Sequence, residues 1–283
     1  MVVVIDGKRI AKEIREELKK RVEKLKEKNI KPTLAIILVG DNPASILYIT
    51  NKQKAAREVG IECIIHKFSE EAEEEEVLGL IQRLNEDEKI HGIIVQLPLP
   101  KHLNEQIILD SISPEKDVDG LTPFNAGNLS LGNERIAPCT PKGIIKLLEK
   151  MKIEVEGKNV VIVNNSNVVG KPLALMLTNR FATVTLCHVK TKDLKEHTKK
   201  ADILITATGV PCLIKADMVK EGAVVIDAGI KYSEKRIEGD VDFENVKKKV
   251  SYITPVPGGV GPMTVAMVLE NTLILAESLT GVE

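Results

Sequence analysis

The hydrophobic positions of the chain follow two alternating patterns. In residues 7–28 an apolar residue recurs every three or four positions, which predicts an amphipathic helix, and Asp6 stands where it can cap the first turn. Residues 33–40 form instead a continuous apolar run of strand length, which is typical of a parallel strand covered on both faces. Because the two patterns then alternate, the sequence predicts βαβ units and parallel sheets.

The same patterns predict the other elements. A helix is expected from Pro43 to about Gly60, with Asp41 or Asn42 as its cap, and another opens in the acidic run 70–76. Further strands are predicted at 61–68, 91–100, 159–163, 183–187, 202–206 and 223–227, and further helices at 141–151 and 263–279. The chain therefore contains two series of strands and helices.

Two turn-rich segments, 121–140 and 254–263, interrupt the alternation. We therefore expect two α/β domains, one spanning 1–140 and the other 141–262, with a cleft between them. The final helix, within 263–283, is expected to pack back on the first domain. The second domain is expected to have a Rossmann-like, dinucleotide-binding fold because of the loop motif that it contains.

Composition and charge exclude several classes of protein. The 283 residues are 43% hydrophobic, which is enough for two sizeable cores. The formal net charge is −1 and no long basic stripe is present, so we expect no binding to nucleic acid or to an anionic membrane surface. The first residues are apolar for too short a stretch to form a signal peptide, and no segment approaches the roughly 20 apolar residues that cross a bilayer.

The cysteines and histidines add two expectations. The four cysteines are Cys63, Cys139, Cys187 and Cys212. Their wide separation is typical of reduced thiols in a cytoplasmic compartment. The five histidines lack the spacing of metal ligands, so no metal is expected.

A candidate phosphate-binding loop lies in "VVIVNNSNVVGKP", a predicted strand followed by a turn and the start of a helix. The dinucleotide fingerprint G-x-G-x-x-G brings the backbone close to a pyrophosphate. Of its glycines this loop keeps only Gly170, one position late, while Asn164 and Ser166 stand at the other two places. Asn tolerates positive φ, so Asn164 could make the tight turn, and the Ser166 hydroxyl could add a donor. An ordinary strand–helix turn is the alternative.

The end of the next predicted strand bears on the cofactor. NAD sites usually carry an acidic residue there, which binds the ribose 2′-hydroxyl. This chain has "CHVKT", with Lys190 and no acid, which favours the 2′-phosphate of NADP. Two later strand ends, "TATGVP" with Gly209 and "VIDAGIK" with Ile230, are small-residue segments that could pass close to ribose and nicotinamide.

Another group of polar residues lies in the first domain. In "ASILYITNKQK", Tyr48 and Lys52 are one helical turn apart and share a face. Short-chain dehydrogenases also have a Tyr-x-x-x-Lys pair, but there it follows the glycine loop, whereas here it precedes the loop by more than a hundred residues. Gln96 and Asp119 stand at a strand end and in a loop, where open α/β sheets bind ligands. Each could instead have an ordinary role in packing, in a turn or on the surface.

Together these stretches resemble one family through nearly the whole chain. The matching segments are "ASILYITNKQKAAREVGI", "GIIVQLPLP", "PEKDVDGLTPFNAGNL", "PCTPKGI", "GDVDF" and "PVPGGVGPMT". They occur in the order found in the bifunctional methylenetetrahydrofolate dehydrogenase/methenyltetrahydrofolate cyclohydrolase (FolD) family. The resemblance implies NADP-linked oxidation of 5,10-methylenetetrahydrofolate and hydrolysis of the methenyl product to 10-formyltetrahydrofolate. It also implies a homodimer that acts in one-carbon metabolism and purine biosynthesis.

The resemblance assigns roles to the residues of the first domain. Lys52 is the key catalytic group, Tyr48 stacks on the folate, and Gln96 hydrogen-bonds Lys52 and orients it. Asp119 holds the pterin, whose adjacent N–H groups suit a carboxylate. A lysine gives up its proton more readily when it is buried or beside another cation, so one next to the cationic methenyl product could shuttle the proton of the attacking water. The remaining implied substrate contacts are Leu97, Pro98, Gly261 and Pro262.

Two positions depart from the family pattern, and both concern the cofactor. The family loop reads Gly-Arg-Ser, whereas here Asn165 stands where the arginine would bind the 2′-phosphate. The strand-end segment commonly has Ser before its basic residue, whereas here Val189 precedes Lys190. NADP is still expected because no acid replaces these groups, and use of NAD, or of both, is the alternative. The predicted cofactor contacts are Asn164, Asn165, Ser166, Gly170, Lys190, Gly209 and Ile230.

Two other functions stay open. One is a dehydrogenase that has lost the cyclohydrolase step, which an assay of methenyltetrahydrofolate hydrolysis without cofactor would identify. The other is a folate- or nucleotide-binding protein without catalysis, which the altered glycine loop would suit.

Overall fold

The computed structural model describes residues 2–232 and 237–282, which form two compact units. Unit A consists of Lys12–Cys139 and Val265–Glu283, and unit B consists of Met1–Ala11 and Thr140–Thr264. The strands are β1 (Val3–Val4), β2 (Thr33–Val39), β3 (Glu62–Phe68), β4 (Gly92–Val95), β5 (Asn159–Val163), β6 (Thr183–Cys187), β7 (Ile203–Thr206), β8 (Val224–Asp227), β9 (Lys231–Tyr232), β10 (Ile237–Glu238) and β11 (Tyr252–Ile253).

The α-helices are α1 (Gly7–Glu27), α2 (Pro43–Val59), α3 (Glu74–Glu86), α4 (Glu105–Asp110), α5 (Pro123–Ser130), α6 (Cys139–Lys150), α7 (Gly170–Thr178), α8 (Leu194–Thr198), α9 (Phe243–Val246) and α10 (Val260–Thr280). Strands and helices alternate within each unit, and the α/β fold class predicted from the apolar pattern is confirmed.

Unit A contains a three-stranded parallel sheet in the order β3-β2-β4. Every residue of the central strand β2 is buried, as expected for a parallel strand covered on both faces, whereas no residue of the edge strand β3 is fully buried. Ala35, Ile37 and Val39 alternate along β2 and pack with residues of α3 and α4 into one core cluster. The core therefore fixes β2 and β4 more firmly than β3.

Local caps set where α1 and α2 begin and end. Asp6 Oδ1 accepts a hydrogen bond from Arg9 N (3.0 Å), as predicted for the start of α1. At the start of α2 the side chain of Asn42 accepts hydrogen bonds from two first-turn N–H groups (3.0 and 3.2 Å). Gly60 ends α2 with φ +88°, a left-handed conformation that suits glycine. These caps fix the register of α2, the helix that carries the predicted catalytic lysine.

Unit B contains six parallel strands in the order β1-β11-β8-β7-β5-β6. The chain passes from β5 outward to β6 and then returns to the other side of β5 for β7 and β8. This is the doubly wound order of a Rossmann-like sheet, as predicted, and its switch point lies between β5 and β7.

The N-terminal residues belong to unit B, whereas the sequence-based division placed them in the first domain. Val3 pairs in parallel with Tyr252 of β11. Two backbone hydrogen bonds hold this pairing, from Val3 N to Ser251 O and from Ile5 N to Ile253 O, both 2.8 Å long. A strand of two residues has no periodic pattern, so the sequence carried no signal for this pairing.

Several short elements were not predicted. Helices α4 and α5 lie in segments interpreted as turns or left unassigned, and Thr122 Oγ1 caps α5 by accepting a hydrogen bond from Asn125 N (3.4 Å). Strands β9 and β10 form an antiparallel pair, and α8, α9 and β11 are equally short. The helices among these elements have at most eight residues, too few for a helical repeat over several turns, and the strands have two residues each, too few to show a strand pattern.

Helix α10 overturns one expectation. It is 21 residues long and apolar enough, by composition, to cross a membrane, so the expectation that no segment approaches this length was wrong. Its most apolar window is nevertheless 61% buried within the structure, as is common for core helices of soluble proteins.

Candidate active site

The first candidate site lies at the carboxyl end of the unit A sheet. From β2 the chain goes to β3 on one side and later to β4 on the other, so the switch point, where open α/β sheets bind ligands, lies between β2 and β4. Gln96 directly follows β4, and Lys52 is carried by α2. Lys52 Nζ donates a hydrogen bond to Gln96 Oε1 at 3.0 Å. The structure thus brings together two predicted site residues that are 44 positions apart.

The side chain of Gln96 is held in one orientation. Its backbone N–H donates to Ile37 O (2.9 Å), and its side-chain Nε2 donates to Leu97 O (2.8 Å). Because Nε2 is used in this way, Oε1 is the atom that faces Lys52. Leu97 and Pro98, both predicted substrate contacts, directly follow Gln96 in the loop after β4.

Lys52 is a buried residue and not a surface charge. It is 7% exposed, and it lies on the buried face of α2 together with Ser45 and Ile49. Tyr48, one turn before Lys52, is half-buried. A buried ammonium group needs hydrogen-bond acceptors, and Gln96 supplies a neutral one. The interpretation of Lys52 as an ordinary surface charge is therefore excluded.

Asp119 reaches the same edge of the sheet from another segment. Asp117 forms a parallel bridge with Ile93 of β4, so Asp119 comes level with the end of β4. Asp119 is half-buried, and burial raises the pKa of its carboxyl group, while the Lys52 ammonium and a hydrogen bond from the Cys139 thiol lower this pKa. Lys52 and Asp119 are therefore within electrostatic range of each other.

Asn271 of α10 holds the two chain segments next to Asp119. Its buried Nδ2 donates to Val118 O (2.8 Å) and to Ala137 O (3.0 Å). The thiol of Cys139 donates to Val118 O (3.5 Å) as well as to Asp119. Neither Asn271 nor Cys139 is among the site residues predicted from the sequence. Their partners are distant in the chain, 153 and 134 positions away for Asn271, so no local pattern pointed to them.

The second candidate site lies at the carboxyl end of the unit B sheet. The last residues of neighbouring strands are in register, since Val163 pairs with Cys187 and Thr206, and Thr206 pairs with Asp227. The segments that follow β5, β6, β7 and β8 therefore start side by side at one edge of the sheet. These segments contain every predicted cofactor contact, namely Asn164, Asn165, Ser166, Gly170, Lys190, Gly209 and Ile230.

Asn164 organises the loop after β5 through its side chain. Its Oδ1 accepts hydrogen bonds from Ser166 N (2.8 Å), Ser166 Oγ (2.8 Å) and Gly170 N (2.9 Å). Its Nδ2 donates to Ala207 O (2.6 Å) across the switch point. Asn164 has a negative φ, so the prediction that it turns the chain with a positive φ was wrong. The Ser166 hydroxyl, predicted as an additional donor, is used within the loop.

Gly170 is required by close packing. A Cβ atom on Gly170 would lie 2.0 Å from Asn164 O, so a larger residue would displace the loop. Helix α7 starts at Gly170, and a helix N-terminus at this edge of a parallel sheet is a common place for a pyrophosphate group. The exposed Asn165 lies in the same loop. The loop therefore keeps the tight backbone packing of a dinucleotide-binding loop, although two of the three fingerprint glycines are missing.

Lys190 lies in a tight turn after β6. His188 N donates to Thr191 Oγ1 (2.8 Å), and Lys190 N donates to His188 Nδ1 (3.1 Å). The side chain of Lys190 is exposed, and Val189 beside it is 98% exposed. Because β5 and β6 are neighbours, the turn that carries Lys190 begins next to the loop that contains Asn165. Such a position suits the 2′-phosphate of a bound nucleotide.

The remaining predicted residues of unit B lie close to one another. Gly209 has φ +69°, which favours glycine. A Cβ atom on Gly209 would lie 3.6 Å from Ile230 O, and one on Gly261 would lie 3.8 Å from Ile230 Cδ1. Pro262 is next to Gly261 in the first turn of α10. The predicted substrate contacts are thus divided between the two units, since Gly261 and Pro262 belong to unit B and the others to unit A.

Two family descriptions match the chain. Residues 5–119 match the catalytic domain of tetrahydrofolate dehydrogenase/cyclohydrolase, and residues 138–280 match its NAD(P)-binding domain. The chain belongs to the tetrahydrofolate dehydrogenase/cyclohydrolase family. The resemblance seen in the sequence motifs is confirmed, and the expected NADP site falls in the part of the chain that matches the NAD(P)-binding domain.

Individual members of the tetrahydrofolate dehydrogenase/cyclohydrolase family agree with this assignment. Bifunctional protein FolD of Nautilia profundicola is 51% identical over 278 residues, which cover 98% of this chain and 98% of that protein. The crystal structure of the bifunctional FolD enzyme from Campylobacter jejuni matches with a TM-score of 0.96 and 52% identity, covering 98% of this chain and 99% of that one. FolD of Trypanosoma brucei, solved with NADP and an inhibitor, matches with a TM-score of 0.95 and 38% identity over 98% of each chain.

The residues of unit B fit the nucleotide that this family binds. The loop of Gly170 leaves no room for a side chain, Gly209 has the backbone conformation of a close-approach position, and Lys190 supplies a cation. Among residues 2–232 and 237–282 there is no group of three or more His, Cys, Asp or Glu side chains that could hold a metal ion.

A further polar cluster in unit B has no role among the predicted contacts. The segments "VIDAGIK" and "GDVDF" each contain a buried aspartate, Asp227 and Asp240. Both segments were noticed in the sequence, but neither aspartate was assigned a function. The available signal was an acidic residue at the end of a buried strand, which is an unfavourable place for an unpaired charge.

Proposed function

We propose that this member of the family catalyses two consecutive reactions, the oxidation of 5,10-methylenetetrahydrofolate with NADP and the hydrolysis of the methenyl product to 10-formyltetrahydrofolate. The observation that carries the proposal is the hydrogen bond from buried Lys52 Nζ to Gln96 Oε1 (3.0 Å), with Asp119 in electrostatic range. A protein that only binds folate has no need to bury an ammonium group beside a neutral acceptor, because this burial is costly.

Unit A provides the folate site in this proposal. The half-buried ring of Tyr48 stacks against the pterin, and the Asp119 carboxylate accepts hydrogen bonds from its adjacent N–H groups. Burial raises the pKa of Asp119, so its charged form gains most when the pterin donors and the Lys52 ammonium are in place. Leu97 and Pro98 line the same site from the loop after β4.

Unit B provides the cofactor site. When bound, NADP supplies the nicotinamide ring that accepts a hydride from the methylene carbon of the substrate. Lys190 pairs with the 2′-phosphate, and the loop of Asn165 and Gly170 approaches the pyrophosphate. The segments of Gly209 and Ile230 adjoin the ribose and nicotinamide. Gly261 and Pro262 are the further substrate contacts of this proposal.

Lys52 moves the proton in the hydrolysis step. The methenyl cation disfavours a second positive charge beside it, so water adds to the bridging carbon and its first proton passes to the amine form of Lys52. The bond from this carbon to N5 then breaks, its electron pair stays on N5, and N5 receives the second proton of the water. The carbon remains on N10 as a formyl group. The reaction consumes one water molecule and releases one proton, which Lys52 returns to solvent.

We also propose that the protein is a homodimer, as is implied for the family. The support lies in β3, a seven-residue edge strand that, among the described residues, pairs only with β2 and has no fully buried residue. Ile64 and Ile65 on this strand are each 37% exposed. A long apolar edge strand of this kind is a usual surface for association. The partner we propose is a second copy of the chain.

A cytoplasmic location is part of the same proposal. Burial raises the pKa of the Cys63 thiol to about 11, against the effect of the Lys52 ammonium, so this thiol is poorly reactive. Cys139 and Cys187 are buried, and the described cysteines form no disulfide bond. These properties suit a reducing compartment.

A hydrolysis assay without nucleotide tests the proposal. Purified protein is mixed with methenyltetrahydrofolate, and the loss of its absorbance is followed with the wild type, with Lys52→Met and with Lys54→Met. We expect enzyme-dependent hydrolysis that Lys52→Met abolishes, while Lys54→Met, an exposed lysine on the same helix, retains it. Full hydrolysis by Lys52→Met would contradict the role of Lys52. Wild-type oxidation of methylenetetrahydrofolate without any hydrolysis would identify the monofunctional alternative.

A further inference from the structure

Two buried aspartates lie at the carboxyl edge of the unit B sheet. Asp227 is the last residue of β8 and is 3% exposed, and Asp240 follows β10 and is 0% exposed. Neither side chain reaches the solvent, so the hydrogen bonds of each carboxyl group must come from the protein itself.

The carboxyl group of Asp240 holds the segment after β7. Its Oδ2 accepts hydrogen bonds from Thr206 Oγ1 (2.7 Å) and from Thr208 N (2.5 Å). Thr208 directly precedes Gly209, one of the proposed cofactor contacts. The position of this contact therefore depends on Asp240.

The carboxyl group of Asp227 holds the other two segments. Its Oδ1 accepts hydrogen bonds from Gly229 N (2.9 Å) and Asp240 N (3.1 Å), and its Oδ2 accepts one from Val241 N (2.9 Å). Gly229 directly precedes Ile230, the second proposed contact on this side of the sheet. The two aspartates thus tie together the segments that start after β7, β8 and β10.

Packing around the pair leaves no room for a bound ion. A Cβ atom on Gly229 would lie 2.0 Å from Asp240 Oδ1, and one on Gly239 would lie 2.2 Å from Asp227 Oδ2. The backbone therefore lies against both carboxyl groups. Compensation for their charges must come from hydrogen bonds or from a proton.

The hydrogen bonds are unequal between the two groups. Asp227 accepts three N–H donors, which favours its charged form. Asp240 Oδ1 is buried and has no hydrogen-bond partner among the described residues, which makes a second full charge in this cluster costly. Two carboxylates in one buried site cannot both ionise without a large penalty. The hydrogen bonds and the burial therefore favour one negative charge, and not two, on these carboxyl groups.

We propose that Asp227 and Asp240 are positioning residues that set the nicotinamide side of the cofactor site, and that they do so while the pair retains one proton. The inference rests on the proposed cofactor role of unit B. A proton on the pair lets both loops approach each other, whereas loss of the proton places two negative charges in the cluster and separates the loops.

The surrounding groups set the pH range of this effect. Burial raises the pKa of Asp227 to about 7 and the Asp240 carboxylate adds to the rise, while hydrogen bonds from backbone N–H groups oppose it. Thr206 Oγ1 donates to Asp240 Oδ2, and Thr254 Oγ1 accepts a hydrogen bond from the backbone N–H of Asp227. The charged residues on the same chain segments are Lys231 and Glu238 of the β9–β10 pair and Asp242, whose Oδ2 accepts a hydrogen bond from Asn245 Nδ2. Asp227 should therefore lose its proton as the pH rises through about 7, which adds a second negative charge to the cluster.

Isosteric variants distinguish the roles of the two carboxyl groups. Asp240→Asn keeps one acceptor oxygen for Thr206 and Thr208 and places an NH₂ group where the oxygen without a partner stands, so it imitates the protonated pair. In Asp227→Asn the NH₂ group faces a backbone N–H donor in either orientation of the amide, because both oxygens of Asp227 accept such donors. Asp242→Asn is the matched control from the same "GDVDF" segment, because among the described residues the side chain of Asp242 accepts its hydrogen bond from Asn245 and not from the segments that the pair holds.

The experiment measures KM for NADP, KM for methylenetetrahydrofolate and kcat between pH 6.5 and 8.5, with the nucleotide-free hydrolysis rate as a check on unit A. We expect the wild type and Asp242→Asn to show KM for NADP rising at least about fivefold over this range. Asp240→Asn should show less than a twofold change. Asp227→Asn should raise KM for NADP at least about tenfold at every pH, with hydrolysis retained.

Three outcomes would overturn the inference. One is a wild-type KM for NADP that does not depend on pH, and another is an equal pH dependence in Asp240→Asn. The third is a parallel rise of both KM values in the variants, which indicates general loss of structure. If Asp227→Asn fails to fold, calorimetric NADP binding by the wild type and Asp240→Asn at the two pH limits decides the question. Failure of the proposed function is recognised separately, because the wild type would then oxidise no methylenetetrahydrofolate with NADP at any pH.

Discussion

At the scale of single residues, the acceptor that faces Lys52 controls how its proton can move. Gln96 Oε1 is a neutral acceptor, so it orients the lysine without fixing a positive charge on it. A carboxylate in the same place would form an ion pair and favour the charged form of the lysine. The choice of an amide therefore suits a lysine that must accept and release a proton.

Gln96→Glu, a change that keeps the size of the side chain, tests the need for a neutral acceptor beside Lys52. We expect hydrolysis of methenyltetrahydrofolate to fall by about 100-fold at neutral pH, because the new carboxylate keeps Lys52 charged. The rate should recover partly as the pH is raised. The measurement is the pH profile of the nucleotide-free assay. Gln53→Glu, on the adjacent position of α2, is the control. An unchanged pH profile in Gln96→Glu would rule out the proposed effect on the lysine.

At the scale of elements, α10 contributes a clamp that the active site needs. Asn271 joins the segments of Val118 and Ala137 by two hydrogen bonds, and these segments flank Asp119 and Cys139. The positive φ of Gly120 (+64°) brings the chain against Ala137, where a Cβ atom would lie 3.1 Å from its carbonyl carbon. The position of Asp119 therefore depends on a helix from the far end of the chain.

The clamp is tested by Asn271→Ala. Two buried carbonyl groups lose their donor, so we expect the free energy of unfolding to fall by about 2–3 kcal/mol. KM for the folate substrate should rise while KM for NADP changes little. Denaturant titration and steady-state kinetics measure the two effects. Thr280→Ala, which removes a hydrogen bond within α10, serves as the control, and an equal rise of both KM values would contradict the specific role of Asn271.

The turn after β6 decides the cofactor preference in our proposal. Lys190→Ala should lower kcat/KM for NADP by about tenfold or more, because a charge-assisted contact to the 2′-phosphate is lost, and it should leave kcat/KM for NAD nearly unchanged. Lys192→Ala, on an exposed lysine two positions further on, should change neither value. A much larger kcat/KM for NAD than for NADP in the wild type would refute NADP as the natural cofactor.

At the scale of the whole molecule, β3 forms an edge of the unit A sheet. Among the described residues β3 pairs only with β2, and its residues Ile64 and Ile65 are partly exposed. Apolar surface of this kind is usually covered by a partner. The proposed homodimer would provide that cover.

Ile65→Arg tests this surface. We expect the variant to sediment as a monomer at concentrations where the wild type is a dimer, because a charge in the middle of an apolar interface raises its Kd by about 100-fold or more. Leu131→Arg, which changes a residue that is 86% exposed at the end of α5, is the control and should not alter the sedimentation coefficient. Dimers that persist in Ile65→Arg would place the interface elsewhere.

The sequence by itself determined the features that arise within short segments. The apolar run of β2, the helical spacing of α1, and the caps at Asp6 and Asn42 all appear in the structure where the pattern placed them. These signals are local, because a helix or strand of sufficient length repeats its exposure within a few residues. The family motifs are likewise continuous stretches, so the residues alone were enough to indicate the family.

The tertiary structure alone decided how distant segments combine. It joined Lys52 to Gln96, placed β1 beside β11, made the Asn164 side chain the centre of the phosphate loop, and buried Asp227 and Asp240 together. Each of these features depends on pairing between residues that are separated in the chain. No periodic pattern records such a pairing, because its free energy comes from burial and hydrogen bonds that exist only after the sheet has formed.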